Sequence, residues 1–78
     1  MLKICDNVDL KELEKFGLKE TIKDDDHIDG YEFSLETKQE YYYLLIPKFN
    51  REIMGNALDI IYDLIQANLV EKVSDKNV

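Results

Sequence analysis

Few residues in this sequence could act as a nucleophile or a general base. Cys5 is the only thiol and His27 the only imidazole, and neither lies in a motif that would activate a cysteine. A serine triad would require His27 to meet Ser34 or Ser74, and neither serine has the flanking glycines of a nucleophile elbow. The three glycines are isolated from one another, so there is no phosphate-binding loop. We therefore predict a protein that is not an enzyme and holds no cofactor.

One acidic segment has the spacing of metal ligands. Asp25-x-His27-x-Asp29-Gly30, followed by Glu36, matches the EF-hand calcium loop at four of its defining positions. In such a loop carboxylates converge on the ion, the glycine makes a sharp turn, and the final glutamate binds through both oxygens. The segment departs from the pattern because His27 occupies an oxygen-ligand position. The main prediction is the absence of a metal site, and a calcium-responsive module using residues 25–36 is the alternative.

Capping residues and apolar spacing indicate two helices. Asp9 with Glu12 forms a variant of the capping box, and Gly17 suits a left-handed helix end, which predicts a helix over residues 10–16. A second helix is predicted over residues 57–67, with Asn56 as its N-cap and Asn68 at its left-handed end. Five apolar residues recur at helical spacing in this second segment and are expected to face the core: Leu58, Ile61, Tyr62, Ile65 and Leu69.

Between the helices, the sequence predicts an antiparallel hairpin. Residues 31–36 alternate between apolar and polar side chains, and residues 41–46 are aromatic or aliphatic. If residues 37–40 form the loop, Glu36 pairs with Tyr41, and one face of the hairpin becomes entirely apolar. This inward face would hold Tyr31, Phe33, Leu35, Tyr42, Leu44 and Ile46. The outward face would hold Glu32, Ser34, Glu36, Tyr41, Tyr43 and Leu45.

These elements predict a single α+β domain over residues 1–78, in which a hairpin or meander at about 30–54 packs against two helices. Weaker signals predict four short elements: an edge strand at 21–23, a turn at 47–50, a strand at 51–54 that brings Ile53 near Leu44, and a strand at 69–73. Residues 74–78 are predicted to form a flexible tail.

Charge limits the classes of partner. The 78 residues have a net charge of −7, and eight acidic residues face two lysines between Glu20 and Glu40. Such a surface repels phosphate backbones and attracts basic proteins, which disfavours direct nucleic-acid binding. No apolar run approaches the roughly 20 residues of a membrane span, and the N-terminal residues lack the apolar core of a signal peptide. With one cysteine and no disulfide within the chain, we expect a cytoplasmic protein.

Two segments of the chain are typical of one class of small proteins: Val-Asp-Leu-Lys-Glu-Leu-Glu-Lys-Phe-Gly (8–17) and Leu-Ile-Gln-Ala-Asn-Leu-Val-Glu-Lys-Val (64–73). With its small size and acidity, the chain resembles the accessory proteins of phages and mobile elements in low-GC bacteria. That resemblance implies an inhibitor or adaptor, including inhibitors of host nucleases such as anti-CRISPR proteins and DNA mimics.

The outward hairpin face is the predicted binding surface. Tyrosine offers a large contact area with little rotamer entropy to lose, and carboxylates beside it can pair with lysine or arginine of a partner. The predicted partner-binding residues are Glu32, Ser34, Glu36, Tyr41 and Tyr43. The partner would be a basic protein, for example one that binds nucleic acid. The alternative is that another part of the chain or a second protomer covers the tyrosines, and a homodimer or larger homo-oligomer is a third hypothesis for function.

Overall fold

The computed structural model describes residues 1–22 and 28–73 and has the predicted α+β fold. Eight elements follow one another along these two ranges: β1 (Leu2–Ile4), a 3₁₀ helix (Leu10–Phe16), β2 (Lys19–Glu20), β3 (Gly30–Glu36), β4 (Tyr41–Pro47), β5 (Met54–Gly55), α1 (Leu58–Gln66) and β6 (Val70–Lys72). Within them, a four-stranded antiparallel sheet has the order β2-β3-β4-β5, and β1 pairs separately with β6. The predicted tail at 74–78 lies outside the described residues.

The β3–β4 hairpin has the predicted register. Glu36 lies opposite Tyr41, and the pairing continues without interruption to Gly30 opposite Pro47. Thr37 closes the four-residue loop, because its N–H donates to the Glu40 carbonyl at 2.8 Å and its hydroxyl oxygen accepts from the Glu40 N–H at 2.9 Å. The period-2 pattern of side chains therefore specified this register correctly, since a slip of one residue would turn the apolar face outwards.

The first helix spans the predicted residues but has 3₁₀ geometry. Its three apolar residues, Leu10, Leu13 and Phe16, recur every three positions, and a 3₁₀ helix with three residues per turn places such residues in one line. Leu13 is fully buried at the centre of that line. The Asp9 carboxylate accepts from the Lys11 N–H at 3.0 Å, and Gly17 ends the helix with φ of 94°. The predicted cap residues at both ends are thus confirmed.

The second helix ends as predicted but begins and faces differently. Asn68 has φ of 63°, and Leu69 donates to the Leu64 carbonyl at 3.2 Å, which completes the left-handed end. Asn56 is not the N-cap: Ala57 holds that position and has no side chain to cap the helix.

The prediction for the buried face of α1 was right only in part. Ile61 and Leu69 are half-buried against the core, as predicted, but Leu58, Tyr62 and Ile65 are exposed. The buried positions are instead Leu64 of the helix and Ala57 at its N-cap. Apolar residues surround most of this helix, so their spacing did not determine which part of the apolar surface faces the core.

Four short strands complete the fold, and three of them differ from prediction. The edge strand lies at Lys19–Glu20 rather than 21–23, of which Lys23 lies outside the described ranges. The strand predicted at 51–54 is displaced to β5, where Met54 pairs with Leu45 and Gly55 with Leu44. The Ile53 N–H instead donates to the Leu2 carbonyl at 2.9 Å, so this segment lies beside β1. Strand β1 was not predicted. The strand predicted at 69–73 is confirmed as β6, and its partner is β1.

Both sheets and both helices contribute to one apolar core. Its buried residues are Ile4, Leu13, Leu18, Tyr31, Leu44, Ile46, Ala57 and Leu64. Burial on the inward hairpin face decreases towards the loop. Tyr31, Leu44 and Ile46 are buried, Phe33 and Tyr42 are half-buried, and Leu35 remains 50 % exposed. The expectation that Leu35 would lie in the core was therefore wrong, since the core does not extend to the loop end of the hairpin.

Candidate functional site

The outward side chains of the hairpin come together as predicted. Glu32, Ser34 and Glu36 of β3 lie opposite Leu45, Tyr43 and Tyr41 of β4, respectively. Because alternate residues of a strand point to the same side, these six side chains share one face, which we call the outer hairpin face. All of them except Leu45 are exposed, and Leu45 is half-buried beside Met54 of β5.

Two stacked tyrosines dominate this face. The ring centroids of Tyr41 and Tyr43 are 6.1 Å apart, with 22° between the ring planes. Tyr41 is 57 % exposed and Tyr43 is 43 % exposed, so no other described part of the chain covers them. The pair therefore presents a continuous aromatic surface to solvent, with Ser34 and Glu36 directly across the hairpin.

The Asn56 side chain holds the backbone beneath the tyrosines. Its Oδ1 atom accepts from the Tyr43 N–H at 2.8 Å, and its Nδ2 atom donates to the Tyr41 carbonyl at 3.0 Å. The Asn56 backbone N–H also donates to the Tyr43 carbonyl, at 2.9 Å. Asn56 thus continues the hydrogen-bonding of β5 along β4 and fixes the strand that bears both rings. Sequence reasoning assigned this residue to the helix cap and missed this role.

Gly55 allows the chain to approach β4 closely enough for this arrangement. A Cβ atom at Gly55 would lie only 2.2 Å from the Tyr43 carbonyl oxygen, and its φ of 132° is one that side chains rarely tolerate. The Gly55-Asn56 pair was the available signal in the sequence, because a glycine at a strand end marks a close backbone approach.

The two carboxylates of the outer hairpin face have different neighbours. Glu32 lies opposite Lys19 of β2, so a cation is placed beside this carboxylate. Glu36 lies opposite Tyr41 and is roughly 13 Å farther along β3 than Glu32. Lys19 was not anticipated from the sequence, because the edge strand was expected two residues later. Glu36 is therefore the carboxylate better placed to attract a cationic group of a partner.

The two described residues of the calcium pattern lie far apart. Asp29 precedes the first residue of β3, whereas Glu36 is its last residue, so the two are about 23 Å apart along an extended strand. The Asp29 carboxylate lies 3.3 Å from Lys48 Nζ. Within residues 1–22 and 28–73, no group of three or more His, Cys, Asp or Glu side chains could hold a metal ion. Asp25 and His27, the other two residues of the pattern, lie outside these ranges.

A lysine-centred cluster lies at the other end of the hairpin. Lys48 Nζ pairs with Glu20 and Asp29 and lies 6.0 Å from the centre of the Tyr31 ring. The hydrogen bond to Glu20 raises the pKa of Lys48 above its usual value, against the opposing effect of desolvation. Burial raises the pKa of the Tyr31 hydroxyl. This cluster ties β2 to the end of β4, and no local pattern in the sequence predicts it.

Two candidate nucleophiles, Cys5 and Ser34, lie in the described part of the chain and in different parts of the fold. Cys5 follows β1 and is half-buried, and desolvation raises the pKa of its thiol, which disfavours the reactive thiolate. Ser34 lies on the outer hairpin face, while His27 and Ser74 lie outside the described residues.

An apolar groove lies on the opposite side of the hairpin from the tyrosines. It has a volume of about 390 Å³ and runs between the loop end of the hairpin and the start of α1. Phe33, Leu35 and Tyr42 line one side, and Ala57 and Leu58 line the other. Asn56 also borders the groove, so one residue lies next to both the groove and the strand that carries the tyrosines.

Comparisons of the chain with protein-family models, curated proteins and solved structures give no match. Neither helix in the described part of the chain combines the length and apolar character needed to cross a bilayer.

Proposed function

We propose that this protein is a non-catalytic binding module whose outer hairpin face engages a basic surface of another protein. The observation that carries this proposal is the exposed, stacked pair of Tyr41 and Tyr43 beside Glu36. Tyrosine is enriched at the centres of protein interfaces, where it buries a large area at low entropic cost.

The anchored backbone beneath the tyrosines supports the same function. Asn56 fixes backbone groups of both residues, so the strand is already ordered before a partner arrives. Preorganisation of this kind raises affinity because less conformational freedom is lost on binding. A purely structural role would not require two large aromatic rings to remain in solvent.

Electrostatics favours a cationic partner. The net charge of −7 and the acidic excess between residues 20 and 40 accelerate encounter with a basic protein and repel nucleic acid. Basic protein surfaces are commonly the ones that bind nucleic acid. A module of this charge would compete with nucleic acid for such a surface, which agrees with the inhibitor role, anti-CRISPR or DNA-mimic in kind, that the phage-protein resemblance implies.

The test is capture from a lysate of the native cell on immobilised protein, followed by mass spectrometry. The double variant Glu32→Lys/Glu36→Lys should lose the proteins that the wild type captures. Because Lys19 lies opposite Glu32, the single variant Glu36→Lys separates loss of binding from local repulsion within the sheet. Glu14→Lys/Asp63→Lys is the matched control, since it reverses the same number of exposed charges on the two helices.

Salt provides an independent measurement on the captured partner. The screening length falls from about 10 Å at 0.1 M salt to about 3 Å at 1 M, so the association rate should fall steeply over this range. Equal capture by both double variants, or an association rate that does not change with salt, would contradict the proposed surface.

A second candidate function is assembly with copies of the same chain, and α1 supplies the observation that favours it. Leu58, Tyr62 and Ile65 lie at helical spacing on one stripe and are 71 %, 62 % and 42 % exposed. Sedimentation over a hundredfold range of concentration tests this candidate. A monomer throughout that range would remove it, and an oligomer that dissociates in Tyr62→Lys would support it.

A further inference from the structure

The outer edge of β3 is only partly covered. Strand β2 pairs with Glu32 and Tyr31 and then ends, because the chain turns away through the left-handed Gly17. Leu18 directs its N–H to the Leu13 carbonyl at 3.3 Å, so it belongs to the helix end. Within residues 1–22 and 28–73, no strand lies beside residues 33–36 on this side of the sheet.

The backbone groups along this edge have a defined direction. Thr21 donates its N–H to the Gly30 carbonyl at 2.8 Å, and Lys48 donates to the Asp29 carbonyl at 2.9 Å. Gly30 therefore faces β2 while Asp29 faces β4, and successive residues alternate between the two sides. It follows that Ser34 and Glu36 point their N–H and carbonyl groups outwards, beyond the end of β2.

The β4 edge of the hairpin, across from these residues, is already paired. There the Asn56 amide and backbone satisfy Tyr43 and the Tyr41 carbonyl. The two edges of the hairpin thus differ: β4 is covered next to the tyrosines, whereas β3 offers donors and acceptors spaced for a further strand. Unpaired edges of this kind are templates for β-strand addition.

We propose that the β3 edge at residues 33–36 binds an extended segment of the partner, in which basic and apolar residues alternate. This inference rests on the proposed function and specifies the kind of partner. Side chains of an added strand alternate between the two sides of the sheet. Those on the outer side would meet Ser34 and Glu36, and those on the other side would meet Leu35 and the apolar groove.

A second copy is a poorer occupant of this edge than a basic strand. Antiparallel pairing of two β3 edges about Ser34 is blocked, because it needs the position opposite each Glu32, where Lys19 of β2 already lies. Pairing about Leu35 would place Ser34 of each copy opposite Glu36 of the other, which gives neither carboxylate a cation. A strand bearing lysine or arginine opposite Glu36 would instead form a favourable cross-strand pair.

The experiment uses two synthetic eight-residue peptides of equal composition, one with lysine and valine alternating and one with four lysines followed by four valines. We expect the alternating peptide to bind the wild type at least tenfold more tightly than the block peptide. It should also slow hydrogen exchange of the Ser34 and Glu36 amides. Equal affinity of the two peptides would overturn the inference.

Proline at the edge separates strand pairing from simple charge attraction. Ser34→Pro removes an outward N–H and obstructs the edge, and edge strands tolerate proline at such a position. We expect Ser34→Pro to bind the alternating peptide at least tenfold more weakly than Ser34→Ala, which changes the same side chain but retains the N–H. An amide spectrum that is unchanged away from β3 verifies the fold of the proline variant.

Methylation of the peptide tests the same hydrogen bonds without changing the protein. Two methylated forms of the alternating peptide are needed, one with methyl groups on the odd-numbered backbone nitrogens and one with them on the even-numbered nitrogens. Only one form should lose affinity, by at least tenfold, because only alternate N–H groups of an added strand face the β3 edge. If Ser34→Pro and both methylated peptides bind normally, the strand-addition inference is overturned. Should Glu32→Lys/Glu36→Lys still abolish capture of the native partner in that case, the proposed function stands without it.

Discussion

Replacing Asn56 with aspartate distinguishes the role seen in the structure from the helix cap that the sequence suggested. The Asn56 side chain accepts from the Tyr43 N–H at 2.8 Å and donates to the Tyr41 carbonyl at 3.0 Å. Asn56→Asp retains the acceptor but replaces the donor with a carboxylate oxygen that faces a carbonyl oxygen. One hydrogen bond is lost and a repulsive contact is introduced.

The expected change follows from these contacts. A hydrogen bond of this kind contributes about 0.5–1.5 kcal/mol net, so Asn56→Asp should lower the free energy of unfolding by about 1–2 kcal/mol with the repulsion included. As an N-cap, aspartate is equivalent to asparagine, and its charge would add about 0.3–1 kcal/mol through the helix dipole. The two roles therefore predict changes of opposite sign.

Urea unfolding is the appropriate assay. The midpoint should fall with an unchanged slope against urea, and a loss of 1 kcal/mol corresponds to a decrease of about 4–8 °C in Tm for a domain of this size. Asn56→Ala removes both side-chain bonds and should accelerate hydrogen exchange of the Tyr43 amide. If Asn56→Asp unfolds at the same or a higher urea concentration than the wild type, the assignment of Asn56 to the strand is refuted.

Three further changes test other parts of the fold. Gly55→Ala should destabilise the protein by more than about 2 kcal/mol because its Cβ would clash with β4, whereas Gly17→Ala, with open space around it, should cost about 1 kcal/mol in thermal unfolding. Leu64→Ala should cost about 2–5 kcal/mol and Leu58→Ala less than about 0.5 kcal/mol, and the reverse order would show that α1 is rotated. Because the pKa of Lys48 is raised in the folded state, its pairing stabilises the protein below pH 10.5 and is lost as the pH rises through the folded value. Urea unfolding between pH 8 and 12 should therefore show a smaller alkaline loss for Lys48→Met than for the wild type.

The features that the sequence determined by itself are local. The alternation of residues 31–36 and 41–46 specified the hairpin register, because side-chain direction reverses at every residue of a strand. Asp9, Gly17 and Asn68 marked helix ends, because capping bonds join residues only a few positions apart. The residues of the outer hairpin face followed directly from the register.

Tertiary structure decided what depends on distant partners. Strand β1 is three residues long and pairs with β6 at the other end of the described chain, so no local pattern in the sequence predicts it. Asn56 had two possible partners, the first turn of α1 and the edge of β4, and the close approach at Gly55 favoured the strand. The orientation of α1 was likewise undetermined, because its apolar surface is wider than the face that the core covers. In each case a short-range preference was compatible with several arrangements, and packing between residues far apart in the chain selected one of them.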